Sequence, residues 1–281
     1  MAAIPAGSEH PAEVAKKHTP VAPTPADVAR LAASSVSADH VDARVSVCRA
    51  CPRLVEWRER VADEKKPAHA GETYWGRPVP SWGPTRALIA IVGLAPAAHG
   101  GNRTGRIFTG DKSGEWLFAA LHRAGLAARP TSVRAGDGQR LIDTRICAAV
   151  HCAPPANKPT PEERATCQPW LERDLTLMAP TLRVVVTLGA IAWTALWSAS
   201  AAAGFEGPLY PANFGHGVEV PMGRRGPIVL GSYHPSQQNT FTGKLTESML
   251  DDVITRAVEL AHATTGSLQL RAPTAPPGPS A

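Results

Sequence analysis

No apolar run in this chain approaches the ~20 residues that a membrane-spanning helix needs. The opening residues, MAAIPAGSEHPAEVAKKHTP, carry no secretory h-region. These two absences make a cytoplasmic protein without membrane attachment the expectation. An even set of cysteines is lacking too. Five occur, Cys48, Cys51, Cys147, Cys152 and Cys167, and an odd number without an export signal argues against a disulfide framework. There is no internal repeat and no coiled-coil heptad. Neither nucleotide fingerprint is present: no G-x-G-x-x-G and no G-K-S/T.

What is there points to an α/β protein. The chain has 281 residues and a formal charge of +5. That suffices for one substantial core with tails, or two small domains. The mild basic excess suits an anionic partner. Residues 1–38 and 266–281 are rich in Ala and Pro and read as disordered tails, the first with at most a short helix near ADVARLAA. Residues 39–265 form the expected domain. Four short apolar runs read as buried strands: Ala87 to Gly93, Ile142 to Val150, Leu182 to Leu188 and Pro227 to Ser232. Helical segments alternate with them. One begins Thr160-Pro161-Glu162-Glu163, a capping box with Pro at the first helical position. The alternation predicts a parallel sheet with helices on both faces, and functional residues beyond the carboxyl ends of the strands.

Three strand ends carry unusual polar loops. The first strand runs into GLAPAAHGGNRTGRIFTGD, Gly93 to Asp111, whose only carboxylate is its last residue. The second is followed by HCAPPANKPTPEE. Asn157 in this Pro-stiffened turn is either a turn former or a base reader, because one amide offers both a donor and an acceptor. The fourth is followed by YHPSQQNTFTGKLT. Here Pro235 restrains the backbone of His234, and Ser236 and Gln238 lie among the polar residues that suit a phosphate backbone.

These segments, with YWGRPVPSWG from Tyr74 to Gly83, resemble the uracil-DNA glycosylase superfamily, its family 5 (type-5) branch most of all. The likeness covers about residues 45–262. It implies a three-layer α/β/α fold with a central four-stranded parallel sheet. It implies a DNA N-glycosylase that initiates base excision repair on DNA containing uracil or other deaminated bases such as hypoxanthine; the motif loops offer no obvious Schiff-base Lys, so a monofunctional enzyme is the expectation, as is a monomer. Cys48, Cys51, Cys152 and Cys167 match the positions that hold a structural [4Fe–4S] cluster. Four thiolates alone would suit zinc equally, and Cys147 reads as a small buried hydrophobe.

The resemblance also implies roles within the site. Phe108 stacks beneath a flipped base, Asn157 reads its edge, and His234 meets the pyrimidine O2. Other branches carry an Asp or Asn where this chain has Ala95-Pro96-Ala97, so Ala95 and Ala97 can only line the pocket. Asp111 then becomes the candidate catalytic acid, against a competing role as N-cap of the following helix. His99, Arg103, Arg106 and Lys244 are candidate phosphate contacts, with a solvated face as the alternative. Gln238 stands where relatives place an apolar wedge. The rival readings are a non-catalytic iron–sulfur protein that binds damaged or single-stranded DNA, an iron–sulfur redox protein, and a zinc-stabilised fold.

Overall fold

The computed structural model describes residues 4–208, 213–224 and 226–263. The expected C-terminal tail, 266–281, lies outside the described residues. In chain order the elements are α1 (Pro25–Ala33), α2 (Ala38–Ser46), α3 (Pro52–Glu64), β1 (Ile89–Gly93), α4 (Gly101–Thr104), α5 (Lys112–Arg123), β2 (Thr144–Ala148), α6 (Pro161–Met178), β3 (Val184–Leu188), α7 (Ala190–Ser200), β4 (Glu219–Pro221), β5 (Ile228–Ser232), α8 (Gln237–Phe241) and α9 (Glu247–His262). None of these helices is long and apolar enough to cross a membrane.

All four expected strands form, in the order β2-β1-β3-β5, and all pair in parallel. Each is buried along its whole length, which explains why they read as unbroken apolar runs. The sheet has a fifth strand that the sequence reading lacked. β4 pairs antiparallel with β5 at the edge. It has only three residues and includes Pro221, which an edge position tolerates.

Alternate strand residues separate the two faces. Ile89, Ile91, Val184, Val186, Ile228 and Leu230 pack with α5 and α9 through Leu117, Phe118, Leu121, Leu250 and Ile254. Ala90, Val92, Val185 and Val229 pack with α6 and α7 through Leu171, Leu175, Trp193 and Leu196. The result is three layers, α/β/α. Each fully buried aliphatic side chain contributes about 1.5–3 kcal/mol of transfer free energy. The helix expected from Thr160 starts there, with both hydrogen bonds of its capping box present.

The N-terminal segment departs from the expected disordered tail. The short helix near ADVARLAA forms as α1, and its buried Val28 and Leu31 join Val41, Val45, Leu54 and Trp170 in a separate apolar cluster against α6. Upstream, Glu13 accepts a 2.7 Å ion-pair contact from Arg77, both nearly buried, and Ile4 N–H donates to the Trp75 carbonyl. Composition concealed this because the few apolar residues of the segment find their partners only in the fold. Arg145 on β2 ties α2 to α6 in the same region: it meets Asp42 at 2.8 Å and Asp174 at 3.0 Å, buried.

The strand order places a topological switch point between β1 and β3. The connection from β1 leads outward to β2, and that from β3 leads the other way to β5. A crevice beyond the carboxyl ends of β1 and β3 is where such sheets bind ligands.

Candidate active site

At the switch point β1 ends in Gly93, and Gly189 directly follows β3 as the N-cap of α7. At Gly93 the lack of a side chain is required. A Cβ there would lie 2.8 and 2.9 Å from two carbons of the Phe108 ring. The ring therefore lies against the end of β1. Phe108 has φ of 50°, a left-handed backbone that costs a bulky residue about 1–3 kcal/mol and recurs at functional sites. Across the crevice the His234 Cβ passes 3.4 Å from where a Cβ on Gly189 would stand. The His234 and Phe108 rings are 5.9 Å apart, centroid to centroid, tilted by 33°. Two of the expected site residues, from loops 126 positions apart, thus face one another.

His234 is fixed through its backbone. Its carbonyl accepts from Ser236 N–H at 2.8 Å and from the Asn239 side-chain amide at 2.8 Å. Ser236 caps α8 through a 3.4 Å contact from Asn239 N–H, and Gln238 lies exposed on that helix. Close packing lowers the His234 imidazole from its ordinary 6.5 to about 4. It is neutral at physiological pH.

Asp111 is the N-cap of α5, so the capping alternative is correct as far as it goes: Oδ1 accepts from Gly114 N–H at 2.9 Å. The Ser113 N–H also acts on the carboxylate, and Oδ2 is the oxygen turned towards Gly100. It lies so close to Gly100 that a Cβ there would be 1.9 Å away. The cap therefore uses Oδ1. Burial raises the Asp111 carboxyl above its ordinary value, against the lowering effect of the Gly114 and Ser113 N–H groups.

Asn157 stands in an exposed turn after β2 with φ of 56°, following Ala156 at 52°. Its side chain makes no hydrogen bond among the described residues. β1 and β2 stay paired past their ends, through Ala149 N–H to Gly93 O and Val150 N–H to Leu94 O, both at 2.9 Å. This sets the exit of β2 beside that of β1, where Ala95 and Ala97 are half-buried.

The expected phosphate contacts need correction. Arg103 is buried, paired with Glu72, and donates to Gly110 O at 2.9 Å and His99 O at 2.8 Å. Arg106 is buried and meets Asp137 and the Arg134 carbonyl at 2.6 Å each. Both staple the pocket loop, alongside the buried Ile107 and Phe108 side chains. His99 is tied to Tyr74 at 3.1 Å; Lys244 remains exposed. Phe241 was missed by the sequence reading. It is 79% exposed at the end of α8, one helical turn beyond Gln238. Its signal was an aromatic in an otherwise polar loop. A cavity of about 550 Å³ elsewhere, bordered by Trp82, Arg106, Arg140 and Arg145, includes none of Phe108, Asn157 and His234.

The four motif cysteines line one cavity with Leu54, Arg58, Val150 and Trp170. Cys48 and Cys51 come from the α2–α3 turn, Cys152 from the exit of β2, and Cys167 from α6. Burial pushes the Cys48 and Cys51 thiols up to about 11 and about 12, and Cys167 well above its ordinary value. Two N–H groups already point at sulfur: Arg58 Nη1 to Cys152 Sγ at 3.1 Å and His151 N–H to Cys167 Sγ at 3.4 Å. Among the described residues, no three His, Cys, Asp or Glu gather tightly enough to be grouped around a single metal ion. Cys147 is buried in the core, as expected of a small hydrophobe.

Comparison with known proteins agrees with this geometry. A sequence profile of the Uracil DNA glycosylase superfamily matches residues 80–257. A type-5 uracil-DNA glycosylase of Mycobacterium tuberculosis is 54% identical over 231 residues, covering 82% of this chain and 84% of that protein. One from Thermus thermophilus is 49% identical over 217 residues, 77% and 95% of the two chains. A type-4 uracil-DNA glycosylase of Thermotoga maritima is 31% identical over 153 residues, 54% and 62%. The chain belongs to the uracil-DNA glycosylase superfamily and falls in its type-5 branch.

Proposed function

We propose that the crevice at the switch point excises uracil, and other deaminated bases, from DNA by hydrolysis of the N-glycosidic bond. The relatives named above support uracil as the substrate. The observation that carries the site assignment is the Phe108 ring seated on Gly93, with His234 5.9 Å away across the crevice.

A stacked base is out of reach of any side chain, so the nucleotide must leave the helix. Phe108 then gives the base a flat apolar floor; such stacking contributes about 1–3 kcal/mol. Asn157 presents an uncommitted amide to the base edge. Bond cleavage builds negative charge on the departing base and positive charge on the sugar. The neutral His234 ring stabilises the first by a hydrogen bond, and Asp111 Oδ2 stabilises the second and orients water. No polar side chain is available at Ala95-Pro96-Ala97, so Asp111 carries that part of the work. Few side chains read the base, which favours acceptance of hypoxanthine as well as uracil. The lysines in and beside the pocket loops, Lys112, Lys158 and Lys244, lie exposed. None is placed as an amine nucleophile, which favours base release without strand cleavage. Exposed Phe241 gives α8 an apolar tip of the kind that fills a gap in a base stack.

The chemistry of the donor set supports an iron–sulfur cluster held by Cys48, Cys51, Cys152 and Cys167: the four cysteines line one small cavity of about 20 Å³, and N–H donors already address two of the sulfurs. Such a cluster would serve as a cross-link between the α2–α3 turn, the exit of β2 and α6. The function is tested with oligonucleotides carrying uracil, hypoxanthine or xanthine, treated with enzyme and then with alkali. Release of uracil and hypoxanthine, with strand breaks only after alkali, is expected. Strict uracil specificity would refute the broad pocket, breaks before alkali would refute monofunctionality, and binding without release would favour the non-catalytic alternative.

A further inference from the structure

Arg58 is among the most deeply buried charged residues of the protein, 1% exposed in the middle of α3. A buried guanidinium is costly unless its environment is negative and its N–H groups are bonded. Among the described residues its one carboxylate neighbour, Glu59, is 3.5 Å from Nη2 and is also engaged by Arg49. The remaining contacts are with neutral groups: Nη1 donates to Cys152 Sγ at 3.1 Å and to the Cys48 carbonyl at 3.3 Å, and Nε donates to the Gly76 carbonyl at 3.2 Å. So the charge is aimed at the cysteine cavity, and the other edge of the fork at the segment beside the pocket loop.

Gly76 leads directly to that loop. Its N–H donates to the Asn102 carbonyl at 3.0 Å, and Trp75 N–H donates to the Arg103 carbonyl at 2.9 Å. Asn102, fully buried in α4, donates its side-chain amide to the Arg58 carbonyl at 3.2 Å. Arg103 then holds Gly110 O at 2.9 Å, next to Asp111. We infer that Arg58 is a positioning residue with two duties: it is the counter-charge for the sulfur ligands of the four-cysteine site, and it braces the Gly93–Asp111 loop against that site. This rests on the iron–sulfur reading proposed above. A four-thiolate cluster is net anionic, which adds negative charge on the Nη1 side of the guanidinium, opposite the Glu59 carboxylate that Arg49 already shares.

The test compares wild type, Arg58→Met and Arg58→Lys, each purified anaerobically with its cluster. Iron and sulfide content, cluster reduction potential, rate of cluster loss to a chelator, and hydrogen exchange of residues 100–111 are measured. Met removes the charge and the fork. It should move the potential to more negative values, speed cluster loss about 10- to 100-fold and raise exchange in the loop. Lys keeps a charge but cannot reach both sides, so it should restore most of the potential while leaving the loop exchange raised. Wild-type behaviour of Arg58→Met in all these readings would overturn the inference. Arg58→Lys indistinguishable from wild type in loop exchange would overturn the bracing role, even if Arg58→Met does not fold. Wild-type protein without iron and sulfide would overturn the cluster reading instead, and the counter-charge role with it.

Discussion

Replacing Asp111 by Asn removes a charge but keeps a cap, and replacing it by Ala removes both. The structure separates the two effects. Oδ1 accepts the Gly114 N–H at 2.9 Å, and an Asn carbonyl can do the same, since Asn and Asp are about equal as N-caps. Asp111→Asn should therefore unfold within about 1 kcal/mol of wild type, the loss of charge at the helix N-terminus being offset by relief of its burial. Asp111→Ala leaves that N–H without its partner and should cost about 0.5–2 kcal/mol. Chemistry follows a different order. If Oδ2 stabilises the sugar cation, both variants lose it, and single-turnover release should slow about 100- to 1,000-fold in each, as for loss of one pre-placed electrostatic group. The assay pairs urea unfolding with base release under enzyme excess. Near-full release by both variants would refute the role of Asp111 in chemistry. Full release by Asn and loss by Ala would reduce it to a cap.

The pH dependence has a defined sign. With His234 neutral down to about pH 4, against an ordinary 6.5, single-turnover release should show no inflection near pH 6.5. Between those values the unfolded chain binds the extra proton, so the contribution of His234 to stability is complete above about pH 6.5 and is lost as pH falls towards 4; an inflection near 6.5 would contradict the packing around the ring. Gly93→Ala should leave the fold intact but push the Phe108 ring from its seat, lowering release of every base alike; unchanged release would disprove the floor. Arg145→Met leaves Asp42 and Asp174 buried without their cation and should destabilise by about 3–5 kcal/mol in urea unfolding, whereas a change below 1 kcal/mol would show that the ions are hydrated.

Much of this architecture was legible in the residues. Strands buried on both faces announce themselves as apolar runs, and the capping box at Thr160 marked α6 correctly. β4 was not legible, because three edge residues make no pattern. The order of α1 and of the segment before it was hidden because the Glu13–Arg77 pair and the groove against α6 exist only in the fold. In the site, His234 and Asp111 stood out by loop position, and Phe108 was named through the family resemblance. That Oδ1 of Asp111 caps α5 while Oδ2 packs against Gly100 could not be read there, since it depends on how the loop folds back. The same limit applied to Arg103 and Arg106. A basic residue in a polar loop looks free to meet phosphate until Glu72 and Asp137, distant in sequence, are seen to occupy it.

The most direct measurement is a crystal structure with duplex DNA carrying a 2′-fluoro deoxyuridine, whose electron-withdrawing substituent slows cleavage. The account predicts an extruded uracil lying on Phe108, with His234 within hydrogen-bonding distance of the base and Asp111 Oδ2 facing the sugar. A base still stacked in the duplex, or one seated in the cavity beside Trp82 and Arg140, would contradict it.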